Sequence, residues 1–386
     1  MLIKKHITIL VKTLPDRLYG ILLLFAVTSI LLCATSCMDD DVLRDFDRLN
    51  SNKTNKGVFI INEGNFMYGN ASLSYYSLDS NKVINNIFYE TNALPLGDVA
   101  QSMTIKDSLG YIVINNSGKI YIININTFEY RAKITGLVSP RHIHFVNNEK
   151  AYITDLYSKK ISIYNPVTNE ITGTIDINNG NAEFSQHSSE TMLQHNGFVY
   201  VNCWSFDNTI LVINTQTDRV VDSIKVEKQP NSMAIDKNNN LWVLSDGGFA
   251  GSSYGQANAA LTKIDLNTNT IINKYIFTDI NASPKHLCIN QTNDTLFYIY
   301  GSWGGTVANS GVYSMSVNSS MLPTKVLINT GGKIVYGLYY DNNSNHLFFS
   351  DAIDNTQNGI VYRSRTNGII TDTLKVGINP GAFCGR

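Results

Sequence analysis

The side chains able to do chemistry are spread thinly along this chain. Ser, His and Asp all occur, but no Gly-x-Ser-x-Gly turn presents a nucleophile, so acyl-transfer chemistry of the elbow type has no sequence support. Two Ser-Pro-(Arg/Lys)-His segments, ending at His142 and His286, look at first like metal ligands. They recur at equivalent points of a repeat, however, which favours a structural role. Cys203, Cys288 and Cys384 are odd in number and irregularly spaced within strand-like sequence, as expected of buried free thiols rather than a disulfide framework. No Cys-x-x-Cys or His-x-x-x-His spacing suggests zinc. What the chain does supply in quantity is non-covalent chemistry, in aromatic planes interleaved with Asn, Gln, Ser and Tyr.

The elements that must position these residues follow from one repeated pattern. Ile210 to Val226 joins two β-branched runs through Asn-Thr-Gln-Thr-Asp. Val and Ile suit a pleated surface, and the turn residues can bond their own backbone, so the stretch reads as a β-hairpin. Six cousins begin at Leu73, Ile120, Ile161, Leu261, Val312 and Val361. Their turn residues Ser77, Asn124, Asn165, Asn214, Asp265, Ser316 and Ser364 are separated by 47, 41, 49, 51, 51 and 48 positions. Short strands repeating every 40 to 50 residues indicate four-stranded blades around a ring, so the chain is read as an all-β, seven-bladed β-propeller over residues 57–386. Blade one lacks an inner strand at its N-terminal end; its other strands are placed at Val58–Asn62, Leu73–Tyr76 and Val83–Tyr89. Asn379-Pro380-Gly381 matches the Pro-x lead-in before other inner strands, so Ala382–Cys384 is expected to close the ring against Val58–Asn62.

In such a ring the loops between second and third strands share a face with the loops leading into each inner strand. Those of blades five (245–260), six (301–310), seven (351–358) and one (63–70) are long, and those of blades two, three and four are short. The long loops hold Phe66, Tyr68, Phe249, Tyr254 and Trp303, and the short side adds Tyr157, Trp204 and Phe206. Hydrogen bonds to a ligand are expected from Asn65, Asn70, Gln101, Arg141, Asn231 and Ser302, with Phe66, Phe249, Tyr254 and Trp303 as apolar platforms. The lead-in loops also bring His142, Gln186, His187, Glu190, Lys285, His286 and Lys333. Carboxylates on this face are few: Glu63, Asp98, Asp155, Glu190, Asp246 and Asp351. A metal-dependent lactonase propeller needs converging Glu, Asn and Asp side chains, and no spacing here singles out such a set.

Residues 1–36 read as a signal peptide. Lys4, Lys5, Lys12 and Arg17 precede an apolar run, Ile21 to Leu32, that is short for a bilayer span. Ala34-Thr35-Ser36-Cys37 is similar to a bacterial lipoprotein cleavage site, which makes Cys37 the expected lipidated residue. Residues 37–56 read as a polar tether with an acidic start, Asp39 to Asp41. Thirty basic against 31 acidic residues leave a net charge of −1 and no basic stripe, which excludes a nucleic-acid surface.

Asn62-Glu63-Gly64-Asn65-Phe66, Asn70 to Tyr76, Asp98 to Met103 and Asn115 to Ile120 carry a resemblance to surface lipoprotein propellers of gut Bacteroidota. That YncE-like group includes the BtuG-type vitamin B12-binding proteins. The resemblance implies a surface-exposed outer-membrane lipoprotein held by its N-terminal lipid. It also implies a corrinoid such as cobalamin as bound ligand, a TonB-dependent outer-membrane transporter as partner, no cofactor and no catalytic residues. The acidic residues after Cys37 resemble the surface-export signal of such lipoproteins. The residues themselves leave a glycan, another transporter cargo, a protein partner or a lactonase-type hydrolase open as alternatives.

Overall fold

The computed structural model describes residues 56–180, 187–302 and 309–386. The signal segment, Cys37, the tether up to residue 55, Gln186 and Trp303 lie outside the described residues. The described residues form seven four-stranded antiparallel sheets. Blade one takes its inner strand from the C-terminus, Pro380–Gly385, followed outward by Gly57–Asn62, Ser72–Ser77 and Lys82–Ile84. The expected closure is present in register: Val58 faces Gly385, Phe59 faces Cys384, Ile60 faces Phe383 and Ile61 faces Ala382. The inner strands of blades two to seven are Ala100–Lys106, Pro140–Phe145, Ser189–His195, Pro230–Ile235, Lys285–Ile289 and Val335–Asp341.

The core lies between blades rather than at the centre of a globule. Second and third strands, buried on both faces, read as β-branched and aromatic runs such as Phe-Val-Tyr-Val-Asn-Cys (Phe198–Cys203) and Thr-Ile-Leu-Val-Ile-Asn (Thr209–Asn214). The seam between blades seven and one buries Val58, Ile60 and Tyr76 against Phe348, Val361, Leu374 and Val376. Each such side chain contributes about 1.5 to 3 kcal/mol when fully buried, so closing the ring is an apolar event as well as a hydrogen-bonded one. Outermost strands are largely exposed, as in Thr270–Ile276, where only Tyr275 is buried.

Two outer strands are shorter than the sequence suggests. In blade one, strand ends at Ile84, and Ile87–Asn92 is a helix (α1) instead of a continuation of Val83–Tyr89. Asn86 takes a left-handed conformation (φ 57°) that breaks the strand. The helix then buries Ile87 and Phe88, and the Phe88 ring lies 4.9 Å from that of Tyr121 in blade two. Asn92 ties it there, donating to the Phe128 carbonyl at 3.0 Å and accepting from the Tyr130 amide at 2.7 Å. In blade six the outer strand is only Ile328–Asn329. The three cysteines are free, Cys203 buried and Cys288 and Cys384 partly so.

Candidate functional site

Aligned on their first large apolar side chain, the inner strands share a column two positions earlier. It holds Gln101 (before Met103), Arg141 (Ile143), Glu190 (Met192), Asn231 (Met233), Lys285 (Leu287), Tyr336 (Leu338) and Gly381 (Phe383). At or beside this column every inner strand has an irregular register against its neighbour. An extra residue at a bulge re-aims the local side chain and raises the twist. The result is a polar ring at the channel mouth whose members sense one another across it. Glu63 is electrostatically coupled to Arg141, Lys285 and Glu190, from blades three, six and four, and Tyr336 of blade seven is coupled to Arg141.

Blade one has no side chain of its own in the column. A Cβ at Gly381 would come 2.4 Å from Glu63 Oε1, so glycine there leaves room for the Glu63 carboxylate to fill the seventh place. Glu63 arrives from the end of the second strand, and its Oε2 accepts a 2.6 Å hydrogen bond from the Tyr336 hydroxyl.

The backbone carbonyls beneath the ring are held from the preceding blade. Asn115 donates to the Pro140 carbonyl (3.2 Å), Asn202 to that of Pro230 (2.6 Å), Asn231 to that of Pro284 (2.8 Å) and Ser350 to that of Pro380 (2.6 Å). The Pro lead-in visible in the sequence is thus the acceptor that a buried polar side chain of the neighbouring blade reaches for. Buried polar groups satisfied in this way fix one geometry.

Within the ring, Arg141 Nε lies 2.9 Å from both oxygens of Glu190, and its Nη1 donates to Gln101 Oε1 at 2.6 Å. Burial raises the pKa of Glu190 against the pull of Arg141, and burial likewise raises that of Glu63 against the Tyr336 hydrogen bond and the cations. Burial lowers the pKa of Lys285, while Glu63 opposes that shift. His142 and His286, one position beyond the ring, are pushed down to about 3 by burial and the adjacent Arg141 or Lys285, so both are neutral at neutral pH.

A second tier surrounds the ring. The Trp204 indole donates to Asp246 Oδ2 at 2.8 Å, and Asn231 approaches the same oxygen at 3.5 Å. Burial pushes Asp246 up to about 6 despite these bonds. Trp204 is therefore a tethered side chain. Tyr254 is likewise engaged, with its ring edge-on to Phe206 at 6.3 Å and under the Lys228 ammonium at 4.8 Å. Asn65 and Asn70 bond each other, Asn70 Nδ2 to Asn65 Oδ1 at 3.1 Å and the Asn65 amide to Asn70 Oδ1 at 2.7 Å, which folds the blade-one loop. Ser302 bridges to Ala282.

The exposed aromatics form the rim. Phe66 is 64% exposed, Tyr68 79%, Tyr157 64% and Phe249 44%, from blades one, three and five, all on the face that carries the polar ring. Of the expected site residues the structure thus gathers Gln101, Arg141 and Asn231 in the ring and leaves Phe66, Tyr157 and Phe249 on the rim. Glu63, Glu190, Lys285 and Tyr336 complete the ring without having been singled out as binding residues. The signal that finds them is the shared column before the first large apolar residue. On blade four, His187, Cys203 and Asp207 place their ligand atoms within 4.8 Å of one another, with His187 Nδ1 2.6 Å from Asp207 Oδ2.

Together these features define a β-propeller with a polar, bulge-built channel mouth and an aromatic rim. More particularly, residues 56–369 match the model of the Domain of unknown function (DUF5074), and the chain belongs to that family. No curated protein matches the sequence. Among solved structures the chain is similar to a Quinonprotein alcohol dehydrogenase-like protein from Bacteroides thetaiotaomicron VPI-5482 (TM-score 0.64, 14% identity, 86% of this chain and 79% of that one). It is also similar to the periplasmic gluconolactonase of Pseudomonas aeruginosa (0.61, 7%, 86% and 99%). A third likeness is to a functionally unknown protein from Desulfotomaculum acetoxidans DSM 771 (0.60, 13%, 86% and 99%). At these identities the likeness establishes the fold alone.

Proposed function

We propose that this chain is a ligand-capturing propeller rather than an enzyme, and that its ligand is a broad, amide-rimmed molecule of the corrinoid type. Capture would take place at the outer-membrane surface, where Cys37 would carry the lipid, and the cargo would pass to a TonB-dependent transporter. The observation that carries the reading is the pairing, on one face, of exposed aromatic rings with a mouth of fixed hydrogen-bonding side chains. A flat ligand can lay its apolar body on Phe66, Tyr157 and Phe249 while its amides meet the polar ring. The ring's two carboxylates and two cations cancel, which suits a nearly neutral molecule.

Lactone hydrolysis is the second reading, prompted by the fold likeness to a gluconolactonase. The side chains run against it. Glu63 and Glu190 are occupied by Tyr336 and Arg141, and Asp246 by Trp204, so the carboxylates are engaged in holding the mouth together.

Calorimetry of the protein against cyanocobalamin tests the proposal. Saturable binding with a shift of the corrin visible spectrum is expected. Absence of both at micromolar protein would reject the corrinoid, and metal-dependent turnover of a lactone would replace capture by catalysis.

A further inference from the structure

Every side chain of the polar ring except one spends a polar atom on a neighbour. Gln101 accepts from Arg141, Arg141 is bound to Glu190, Asn231 donates to the Pro284 carbonyl, and Tyr336 donates to Glu63. Lys285 makes neither a hydrogen bond nor an ion pair with any described residue. Its ammonium lies 5.5 Å from the centre of the Tyr336 ring and interacts with Glu63 only at a distance. Glu63 is already satisfied by the Tyr336 hydroxyl. A partly buried ammonium with three donors and no acceptor among the described residues loses much of its hydration without replacement from them, and an anionic oxygen supplied from outside would restore it.

Resting on the reading of this face as a ligand site, we propose that Lys285 is an anion subsite, taking a phosphate- or carboxylate-type group at one end of the ligand. Arg141 is committed to Glu190 through a bifurcated Nε contact, and Glu63 takes its hydrogen bond from Tyr336, so the cation whose donors remain open to a ligand is Lys285. The rim aromatics take the apolar body of the molecule, and Lys285 sets which end of it enters the mouth. The side chain acts as a point charge on a flexible stem, which tolerates either a tetrahedral or a planar oxyanion.

The test compares two corrinoids on the full chain purified in detergent. Cyanocobalamin has a phosphodiester in its nucleotide loop, and dicyanocobinamide has the same corrin amides without it. Wild type is expected to bind cyanocobalamin at least tenfold more tightly at low salt, with the preference shrinking as salt rises. Lys285→Met should bring the two ligands to parity with an unchanged melting temperature, and Lys285→Arg should restore part of the preference. Equal affinities in wild type, or a preference that survives in Lys285→Met, would overturn the subsite. If neither corrinoid binds, the reading of the ligand class fails, and the subsite is then judged with inorganic phosphate and gluconate. Binding of either anion that disappears in Lys285→Met upholds it and separates a phosphate from a carboxylate source. Absence of binding by both anions refutes it.

Discussion

The channel mouth and the loop rim occupy the same face yet are built on opposite principles. At the mouth, side chains leave regular bulged strands, their carbonyl supports are gripped by Asn115, Asn202, Asn231 and Ser350, and their charges are matched across blades. On the rim, Phe66, Tyr68 and Tyr157 project from loops and are largely open to solvent, and Phe249 is partly so. The mouth invests stability in a fixed geometry, and the rim keeps apolar surface free. A variant of the mouth's paired side chains should therefore injure folding before binding, and a rim variant should do the reverse.

Removing residues 379–386 is the severest way to break this contrast, because the mouth exists only in a closed ring. The deletion takes away Gly381 and the partner of Gly57–Asn62, leaving Val58 to Ile61 on an open edge. Loss of soluble protein, or a melting temperature lowered by more than about 10 °C, is expected in thermal scans. A truncated chain that melts like the whole one would show that the closure contributes little.

Next in size is the Arg141–Glu190 pair. Glu190→Ala leaves a mostly buried guanidinium with Gln101 alone and should cost about 3 to 5 kcal/mol in urea unfolding. The double change Arg141→Met, Glu190→Leu should cost less than this single one, since it removes both charges together. Additive losses would instead mark the pair as a net source of stability.

Asp246 offers a pH test of the second tier. Its carboxyl titrates near 6 in the folded protein, above the ordinary unfolded value near 4, so folding holds the proton more tightly. Its contribution is full below about pH 4 and is lost as pH rises through about 6. Wild type should give up about 3 kcal/mol over that window, and Asp246→Asn should not. Parallel stability profiles for the two proteins would place the carboxyl in a more solvated setting.

The rim should yield the smallest stability effects. Phe66→Ala and Tyr157→Ala are expected to change unfolding free energy by less than about 0.5 kcal/mol. Each should nonetheless weaken cyanocobalamin binding about tenfold in calorimetry, corresponding to about 1.4 kcal/mol. A rim variant that melts early would mean that its ring is packed and not presented.

Much of this molecule is local and hence legible along the chain. A strand declares itself by β-branched runs and a turn by Asn, Asp and Ser, so seven hairpins and their period follow from residues within a few positions of one another. Even the closure was legible, because Asn379-Pro380-Gly381 repeats the lead-in of the other inner strands. The outer edge of blade one was not. Val-Ile-Asn-Asn-Ile-Phe fits a strand locally, and Asn86 in the left-handed region with Phe88 seated against Tyr121 turns it into a helix.

The mouth depended on tertiary structure for a similar reason. Arg141 and Glu190 are separated by 49 positions, Trp204 and Asp246 by 42, and Glu63 and Tyr336 by 273, so no window of sequence holds both members of a pair. The sequence determined the number of blades, the chain end that closes the ring and the side of the ring on which long loops gather. The fold decided which way the ring residue of each inner strand faces, because one extra residue at a bulge reverses a period-2 pattern. It also decided that Glu63 fills the place Gly381 leaves open, and that Lys285, among the ring's side chains, has no hydrogen bond or ion pair to a described residue.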